Sequence, residues 1–159
     1  MTKKKSGGRG PRDKGNKYEN SIAKRLDTWL KDRFGLIGDI RYFSRTPRSG
    51  GWRTDVPQGL EDKIVGDLVT PYWWPWAIEC KDQKTWSFPA WIKQIKGEIA
   101  DVGSSKSWMI VAHEHGTRND YVLMPFDVFI ELLGEAIWNL VSDDFKKHWG
   151  LEDPGVPES

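Results

Sequence analysis

The fold of this chain is decided by the segment Gly66–Lys81, which has the sequence GDLVTPYWWPWAIECK. Two apolar, β-prone runs, Ile64–Thr70 and Trp76–Cys80, flank five residues that begin and end with proline, so we predict two neighbouring strands that form a hairpin. Because side chains alternate along a strand, Glu79 and Lys81 project together, and the residue between them projects into the opposite layer. A buried Glu and Lys on an apolar strand cost free energy unless their charges are compensated.

The apolar periodicity around this segment predicts an α/β fold. Tyr18, Ile22, Leu26 and Phe34 fall at helical spacing, so we expect a helix from about Lys14 to the stop at Gly35. Further elements follow along the chain: strand Ile40–Phe43, a long loop over 44–62, helix Phe88–Val102 with Ser87 as its N-cap, strands Trp108–Ala112 and Tyr121–Met124, and helices Phe126–Leu133 and Glu135–Trp149. This order describes a mixed β-sheet flanked by α-helices.

Length and composition indicate an ordinary globular protein. The chain has 159 residues, of which 38% are hydrophobic and 30% charged, and we expect a single domain over residues 14–150 between a flexible basic arm (1–13) and a loose tail (151–159). No stretch approaches the roughly 18–20 apolar residues that cross a bilayer, so we expect no membrane partner. The one cysteine, Cys80, allows no internal disulfide and suits a small core residue. We therefore expect an intracellular, cytoplasmic protein.

The charge distribution favours nucleic acid as the partner. Residues 1–66 carry 16 Lys and Arg against 8 Asp and Glu, a net charge of +8, whereas residues 67–159 carry a net charge of −7. A chain with one basic half presents a positive face to an anionic partner, most commonly nucleic acid. The cations expected to contact DNA from the N-terminal region are Lys3, Lys4, Lys5, Arg9, Arg12, Lys14 and Lys17. The alternative is a solubilising tail.

Asp67, Glu79 and Lys81 form the candidate site. Two carboxylates supply the hard oxygen ligands that suit Mg²⁺, and an amine beside them can orient water or neutralise charge on a phosphate. The ordinary alternative is an ion pair on a strand. Glu19, which we place in the opening turn of the first helix, either joins the site or stabilises the helix dipole. Gln94, on the later helix, faces either the site or water.

Three further signals stay open at this point. The loop from Arg45 to Arg53 has three arginines, two hydroxyls and glycines, which suit a phosphate grip or a solvated loop. Within it, Trp52 is placed to wedge against unstacked bases. The aromatic run Tyr72–Trp76 fits core packing, dimer contact or base stacking. His113-Glu114-His115 has a spacing used by some metal sites, but a solvated turn is the simpler interpretation.

Together these residues resemble the PD-(D/E)xK nuclease superfamily, and more narrowly the archaeal-type Holliday junction resolvases. The resemblance covers roughly residues 12–125. The segments that carry it are Lys14–Glu19 at the start of the first helix, Arg48-Ser49-Gly50 in the loop, Gly66-Asp67, and Ile78–Lys81. Gly66 departs from the pattern, because the superfamily often has proline there.

The resemblance implies a restriction-endonuclease-like fold and a homodimer that nicks both strands of a four-way junction in branched double-stranded DNA. It implies Mg²⁺ as the cofactor, with Mn²⁺ able to substitute, and no small-molecule cofactor. The roles it carries over are Glu19, Asp67 and Glu79 as metal ligands, Lys81 on the attacking water, Ser49 at the scissile region, and Arg45 or Arg48 on phosphate. From the residues themselves, Trp52, Arg53 and Gln94 are further candidates for contact with DNA. The alternatives are a sequence-specific restriction or nicking enzyme of the same fold and a non-catalytic DNA-binding protein.

Overall fold

The computed structural model describes residues 11–35, 39–46, 64–140 and 143–148. The chain divides into two compact units, residues 1–123 and residues 124–159. The elements of the first unit are helix α1 (Pro11–Phe34), strands β1 (Ser44–Arg45), β2 (Leu68–Val69) and β3 (Trp76–Asp82), helix α2 (Phe88–Val102), and strands β4 (Ser107–His113) and β5 (Asp120–Leu123). The second unit contains helices α3 (Phe126–Leu140) and α4 (Asp143–His148). The predicted α/β class is confirmed.

The sheet of the first unit is mixed, as predicted. Strand β3 pairs in parallel with β4, and β4 pairs antiparallel with β5. Strands β1 and β2 form a separate antiparallel pair, and an isolated parallel bridge joins Gly66 to Ile78 on β3. Alternation along β3 and β4 separates two hydrophobic cores, one against α1 and one against α2. The α1 core contains Ile22, Leu30, Ile78, Cys80 and Val111, and the α2 core contains Ala77, Trp91, Ile95, Ile110 and Ala112.

Two of the predicted strands differ from the structure. Residues Ile40–Phe43 form no strand, because the backbone N–H groups of Tyr42 and Phe43 donate to the Asp27 carboxylate at 2.7 and 3.3 Å instead of to a ladder. The predicted hairpin is also wrong, since β2 pairs with β1 and the contact with β3 is parallel. The prolines at both ends of the connection lack the N–H that a hairpin ladder needs there.

Helix boundaries differ from the prediction at both ends of the described chain. Helix α1 begins at Pro11, three residues before the expected start, so Glu19 lies about two turns inside it. A dipole role for Glu19 is therefore wrong, because that effect is confined to the first turn. In the second unit, α3 continues through Gly134 to Leu140, where we expected a break, and a short helix follows. The predicted bounds of α2 are confirmed, although Ser87 makes no side-chain cap.

The aromatic run before β3 serves the core in part. Trp74 is buried, with ring centroids 5.0 Å from Phe43 and 5.2 Å from Trp76, both edge to face. Core packing is thus confirmed for Trp74. Tyr72 and Trp73 are exposed, so the interpretations as a contact surface stay open for those two.

A polar cluster joins α1 to the end of the sheet. The Asp120 carboxylate accepts a hydrogen bond from Tyr18 Oη at 3.0 Å, pairs with Arg25, and lies 3.0 Å from His113 Nδ1. Burial, with help from Asp120, raises the pKa of the Tyr18 phenol, so it stays a donor. His113 therefore makes a structural contact with Asp120. None of the helices in the described part of the chain is long and apolar enough to cross a membrane.

Gly66 is required by a close approach of two backbones. Its φ is +83°, and a Cβ placed there would lie 2.6 Å from the Ile78 carbonyl oxygen. Proline, whose φ is held near −65°, is excluded at this position, which explains the departure from the superfamily pattern. The absence of a side chain lets Asp67 N donate to Ile78 O at 2.8 Å. Thr46 secures the same turn, with its Oγ1 donating to Gly66 O at 3.1 Å.

We predict that Gly66→Ala lowers the free energy of unfolding by at least about 2 kcal/mol, because left-handed backbone strain adds to the clash with Ile78. Gly97→Ala is the matched control: it lies in the interior of α2 with nothing within 4 Å of the new methyl group. There the helix propensity of alanine should stabilise the protein by about 0.5–1 kcal/mol. Urea unfolding measures both, and equal midpoints for Gly66→Ala and the unaltered protein would contradict the close approach.

Candidate metal and catalytic site

Strand β3 carries the centre of the site. Glu79 and Lys81 are 1% and 8% exposed, and both lie on the face of the sheet that α2 covers. The two side chains form an ion pair between Lys81 Nζ and Glu79 Oε1. Cys80 points into the α1 core, so the predicted alternation is confirmed. Burial raises the pKa of the Cys80 thiol well above its ordinary value, which keeps it protonated and unreactive.

Asp67 reaches the site from the turn at Gly66. Its Oδ2 accepts a hydrogen bond from the backbone N–H of Cys80 at 2.8 Å, so the carboxylate is tied to β3 between the two charged residues of that strand. Its own backbone carbonyl accepts from Thr46 N at 2.8 Å. These bonds hold Asp67 close enough to Glu79 for the charge of Asp67 to raise the pKa of Glu79.

Helix α2 supplies two more polar groups. Gln94 Oε1 accepts from Lys81 Nζ at 2.8 Å, and Gln94 Nε2 donates to Glu79 Oε1 at 2.8 Å and to Glu98 Oε1 at 3.1 Å. Of the two roles considered for Gln94, the structure shows the one that faces the site. Glu98 was not anticipated. The sequence could have indicated Glu98, because it lies four residues after Gln94 and the two therefore share one face of the helix.

Helix α1 supplies Glu19, which is 7% exposed. Its Oε2 accepts from Arg45 Nε at 2.6 Å. Arg45 is thus brought to the site as the partner of Glu19, which leaves its predicted phosphate contact as a prediction. The negative charge of Glu19 is close enough to raise the pKa of Asp67. Lys14 and Lys17 are exposed on the same end of α1.

The electrostatics of the site favour the binding of a cation. Burial, and then the charge of Asp67, raises the pKa of Glu79 above its ordinary value. Burial likewise raises the pKa of Asp67 to about 6, against the lowering effect of its bond from Cys80, and the Glu19 charge raises it further. Glu79 Oε2 is buried without a hydrogen-bond partner in the described structure. A buried carboxylate oxygen in this state costs free energy that a divalent cation can compensate.

The donor set fits Mg²⁺ with few protein ligands. Within the described ranges, no three His, Cys, Asp or Glu side chains are close enough to form a ready-made metal site. Mg²⁺ does not require three, because it commonly binds through one or two carboxylates and keeps water and substrate phosphate as its other ligands. Asp67 and Glu79, with the unpartnered Oε2, are carboxylates of that kind. Among the described residues, His113, Glu114 and His115 likewise belong to no group of three side chains that could hold a metal ion.

Several predicted site residues lie outside the described residues. They are Ser49, Arg48, Trp52 and Arg53 of the loop and Lys3, Lys4, Lys5 and Arg9 of the arm, together with the side chain of Arg12. Their predicted contacts with DNA stay predictions. The described structure thus brings together Asp67, Glu79, Lys81, Gln94 and Glu19, which come from four separate parts of the chain.

One family of known proteins matches this chain. The model of a family described as "Phage putative PDDEXK endonuclease" matches residues 10–150, most of the chain. No curated protein and no solved structure matches it. Asp67, Glu79 and Lys81, which meet at the turn of Gly66 and on β3, lie within the matched residues.

We predict that Asp67→Asn stabilises the metal-free protein at pH 8 by about 1–3 kcal/mol, since the amide oxygen can still accept from Cys80 N while the buried charge is removed. The folded-state pKa of Asp67, about 6, exceeds its ordinary value of 3.8. The folded protein therefore binds the extra proton in that interval, and its stability falls as the pH rises through it. The gain from Asp67→Asn should vanish near pH 4.

Urea unfolding in EDTA between pH 4 and pH 8 measures this effect. Asp32→Asn, which alters an exposed carboxylate on α1, is the control and should show no such pH-dependent gain. An Asp67→Asn protein that is less stable than the unaltered protein at pH 8 would show that the carboxylate charge is already compensated without metal.

Proposed function

This chain belongs to the family of phage PDDEXK endonucleases and is therefore a nuclease, and we propose that it uses Mg²⁺ to nick branched double-stranded DNA, above all the four-way (Holliday) junction. The observation that carries the metal dependence is the buried Glu79 Oε2, which has no partner although Asp67 and Lys81 surround the same carboxylate. In the described structure, Lys81 and Gln94 both bond to Glu79 Oε1, which leaves Oε2 available to bind a metal ion.

Asp67 and Glu79 are the residues that would hold Mg²⁺, with Glu19 as a further ligand after exchange of its Arg45 partner. Bound Mg²⁺ supplies a Lewis acid that polarises the scissile phosphate and acidifies a coordinated water. The carboxylates orient the reacting groups, and their burial excludes bulk water from the site.

Lys81 is the residue proposed to act on the attacking water. Its ammonium has three N–H donors, of which two go to Glu79 and Gln94 in the described structure. The third is available for the attacking water or for a phosphate oxygen on which negative charge develops. Gln94 fixes both partners through one amide group, because its oxygen accepts from Lys81 while its nitrogen donates to Glu79. Gln94 is therefore a positioning residue.

DNA as the substrate is supported by the charge distribution. The basic half of the chain, residues 1–66 with a net charge of +8, includes α1, whose exposed Lys14 and Lys17 lie near Glu19. Phosphate contacts from such cations position DNA without reading its sequence, which suits recognition by shape. A restriction or nicking enzyme of this fold remains the alternative in the same chemistry. A non-catalytic DNA-binding protein has no physical need for two neighbouring buried acids.

A homodimer follows from the proposed substrate. Paired nicks in a four-way junction need two sites related by symmetry, which a two-fold dimer supplies. Phe126, Phe129, Ile130 and Leu133 are exposed at i, i+3, i+4 and i+7 along α3, the spacing of one apolar helix face. A face of this kind supports self-association, and sedimentation measures it.

The proposed function is tested by cleavage of four-way junctions, linear duplexes and single strands with Mg²⁺ or with EDTA. We expect symmetric nicks on the junction only, and only with Mg²⁺. Asp67→Asn and Glu79→Gln should each reduce the rate more than about 100-fold, since even outer-shell partners of metal ligands change activity 10–100-fold. Asp82→Asn removes a carboxylate from the same strand, one residue after Lys81, and should leave the rate within a few-fold.

Cuts at fixed sequences in linear duplex would instead support the restriction alternative. Binding without cleavage in Mg²⁺ and in Mn²⁺ would support a non-catalytic protein. If Asp82→Asn lost as much activity as Asp67→Asn, the loss would not be specific to the proposed metal ligands, and the assignment of the site would be wrong.

For the basic arm, we predict that deletion of residues 1–10 weakens junction binding and flattens its salt dependence. The deletion removes Lys3, Lys4, Lys5 and Arg9, and the slope of log K against log salt should fall by up to about 3–4 because each phosphate contact contributes about 0.9. Deletion of residues 151–159, which contain no Lys or Arg, is the control and should leave the slope unchanged. An unchanged slope after the first deletion would assign these residues to solubility.

A further inference from the structure

An open groove of about 580 Å³ lies beside the end of β3. Six residues line it: Lys84, Thr85, Trp86, Glu114, His115 and Tyr121. None of them belongs to the metal site. The segment Lys84–Trp86 follows β3 directly, and residues Glu114 and His115 form the turn that leads from β4 to β5.

The sheet register places this groove on the catalytic face. Lys81 pairs with Ala112 across β3 and β4, and Ala112 pairs with Tyr121 across β4 and β5. Residues paired in this way project from the same face of a sheet, so Lys81 and Tyr121 share a face. They are two strand spacings apart, about 10 Å. That separation equals about three stacked base steps of one DNA strand, and fewer steps of an extended strand.

Tyr121 is a rigid aromatic surface that stays half exposed. The residue is 47% exposed, and its ring lies edge to face with that of Trp86, at 5.5 Å between centroids. Its hydroxyl donates to Glu114 Oε2 at 3.1 Å, and Glu114 is itself held by Asn119 and Thr117. An aromatic side chain fixed in this way can stack on a base with little further loss of conformational freedom.

The charges of the groove match a nucleotide. Lys84 and His115 are exposed at its rim, where a phosphate can be bound. Glu114 lies next to Tyr121, so a phosphate is disfavoured there, and its carboxylate can accept from a base amino group. The arrangement separates a site for a phosphate from a site for a base.

We propose that this groove is a subsite that stacks one unpaired nucleobase of the DNA strand on Tyr121, within a few nucleotides of the phosphate cut at Lys81. The subsite rests on the proposed DNA nuclease function and adds to it a preference for strands with unpaired bases. A base within a continuous duplex keeps its own stacking partners, so the subsite favours the opened base pairs near a branch.

The test measures the binding of Tyr121 variants and of the unaltered protein to intact and to abasic DNA, as in a double-mutant cycle. Four-way junctions that each lack one base near the branch are bound in EDTA, so that no strand is cut. For the unaltered protein, we expect loss of one particular base to weaken binding about tenfold. Tyr121→Ala should lose the same factor on intact junctions and nothing more on the junction that lacks that base. Tyr121→Phe loses the bond to Glu114 but keeps the ring and its contact with Trp86, so it should lose much less affinity than Tyr121→Ala.

Val122→Ala is the matched control, since Val122 is exposed on the same strand but projects from the other face. It should bind every junction normally. The proposal is overturned if no abasic position matters, if Tyr121→Ala and abasic losses simply multiply, or if Tyr121→Ala changes self-association and leaves DNA binding intact. Normal Mg²⁺-dependent cleavage beside any of these results would reject the subsite alone, whereas absence of cleavage by the unaltered protein would reject the proposed function.

Discussion

The approach of two backbones at Gly66 and Ile78 is the constraint on which the rest of this structure depends. With no side chain and a φ of +83°, Gly66 lets the chain pass close enough for Asp67 N to reach the Ile78 carbonyl. The Asp67 carboxylate then reaches the Cys80 N–H, and a charge from a separate segment is fixed beside Glu79. A larger residue at position 66 would move the Asp67 carboxylate away from Glu79.

The buried charged groups of the site destabilise the folded protein. Glu79, Lys81 and Asp67 are all buried, and the pKa of each carboxyl group is raised mainly because burial penalises its charge. The amide of Gln94 offsets part of this cost by bonding to Lys81 and Glu79 at once. The remaining deficit is a buried carboxylate oxygen that has no partner in the described structure, and a bound cation would relieve it. In the proposed function, the atoms that lower the stability are therefore the ones that would bind the metal.

Sheet register extends the consequences of β3 to the neighbouring strands. Because Lys81, Ala112 and Tyr121 are paired in a row, the face that carries the charged residues also carries the aromatic groove. The opposite face is filled by the α1 core, which includes Cys80. The two faces carry different residues because successive side chains along a strand project to opposite faces of the sheet. The proposed metal site and the proposed base subsite would then lie on one side of the sheet.

By itself, the sequence determined the elements whose signal is local. The bounds of α2 and the alternation of Glu79 and Lys81 follow from apolar periodicity and from the pairing of residue types along a short segment. Only the tertiary structure decided the partners. A parallel bridge stands where we expected a hairpin, and the backbone N–H groups of Tyr42 and Phe43 donate to Asp27. Glu19 pairs with Arg45, and Glu98 accepts a hydrogen bond from Gln94. These contacts join residues far apart in the chain or depend on helix phase, and local propensity carries no information about which distant group will satisfy a given hydrogen bond.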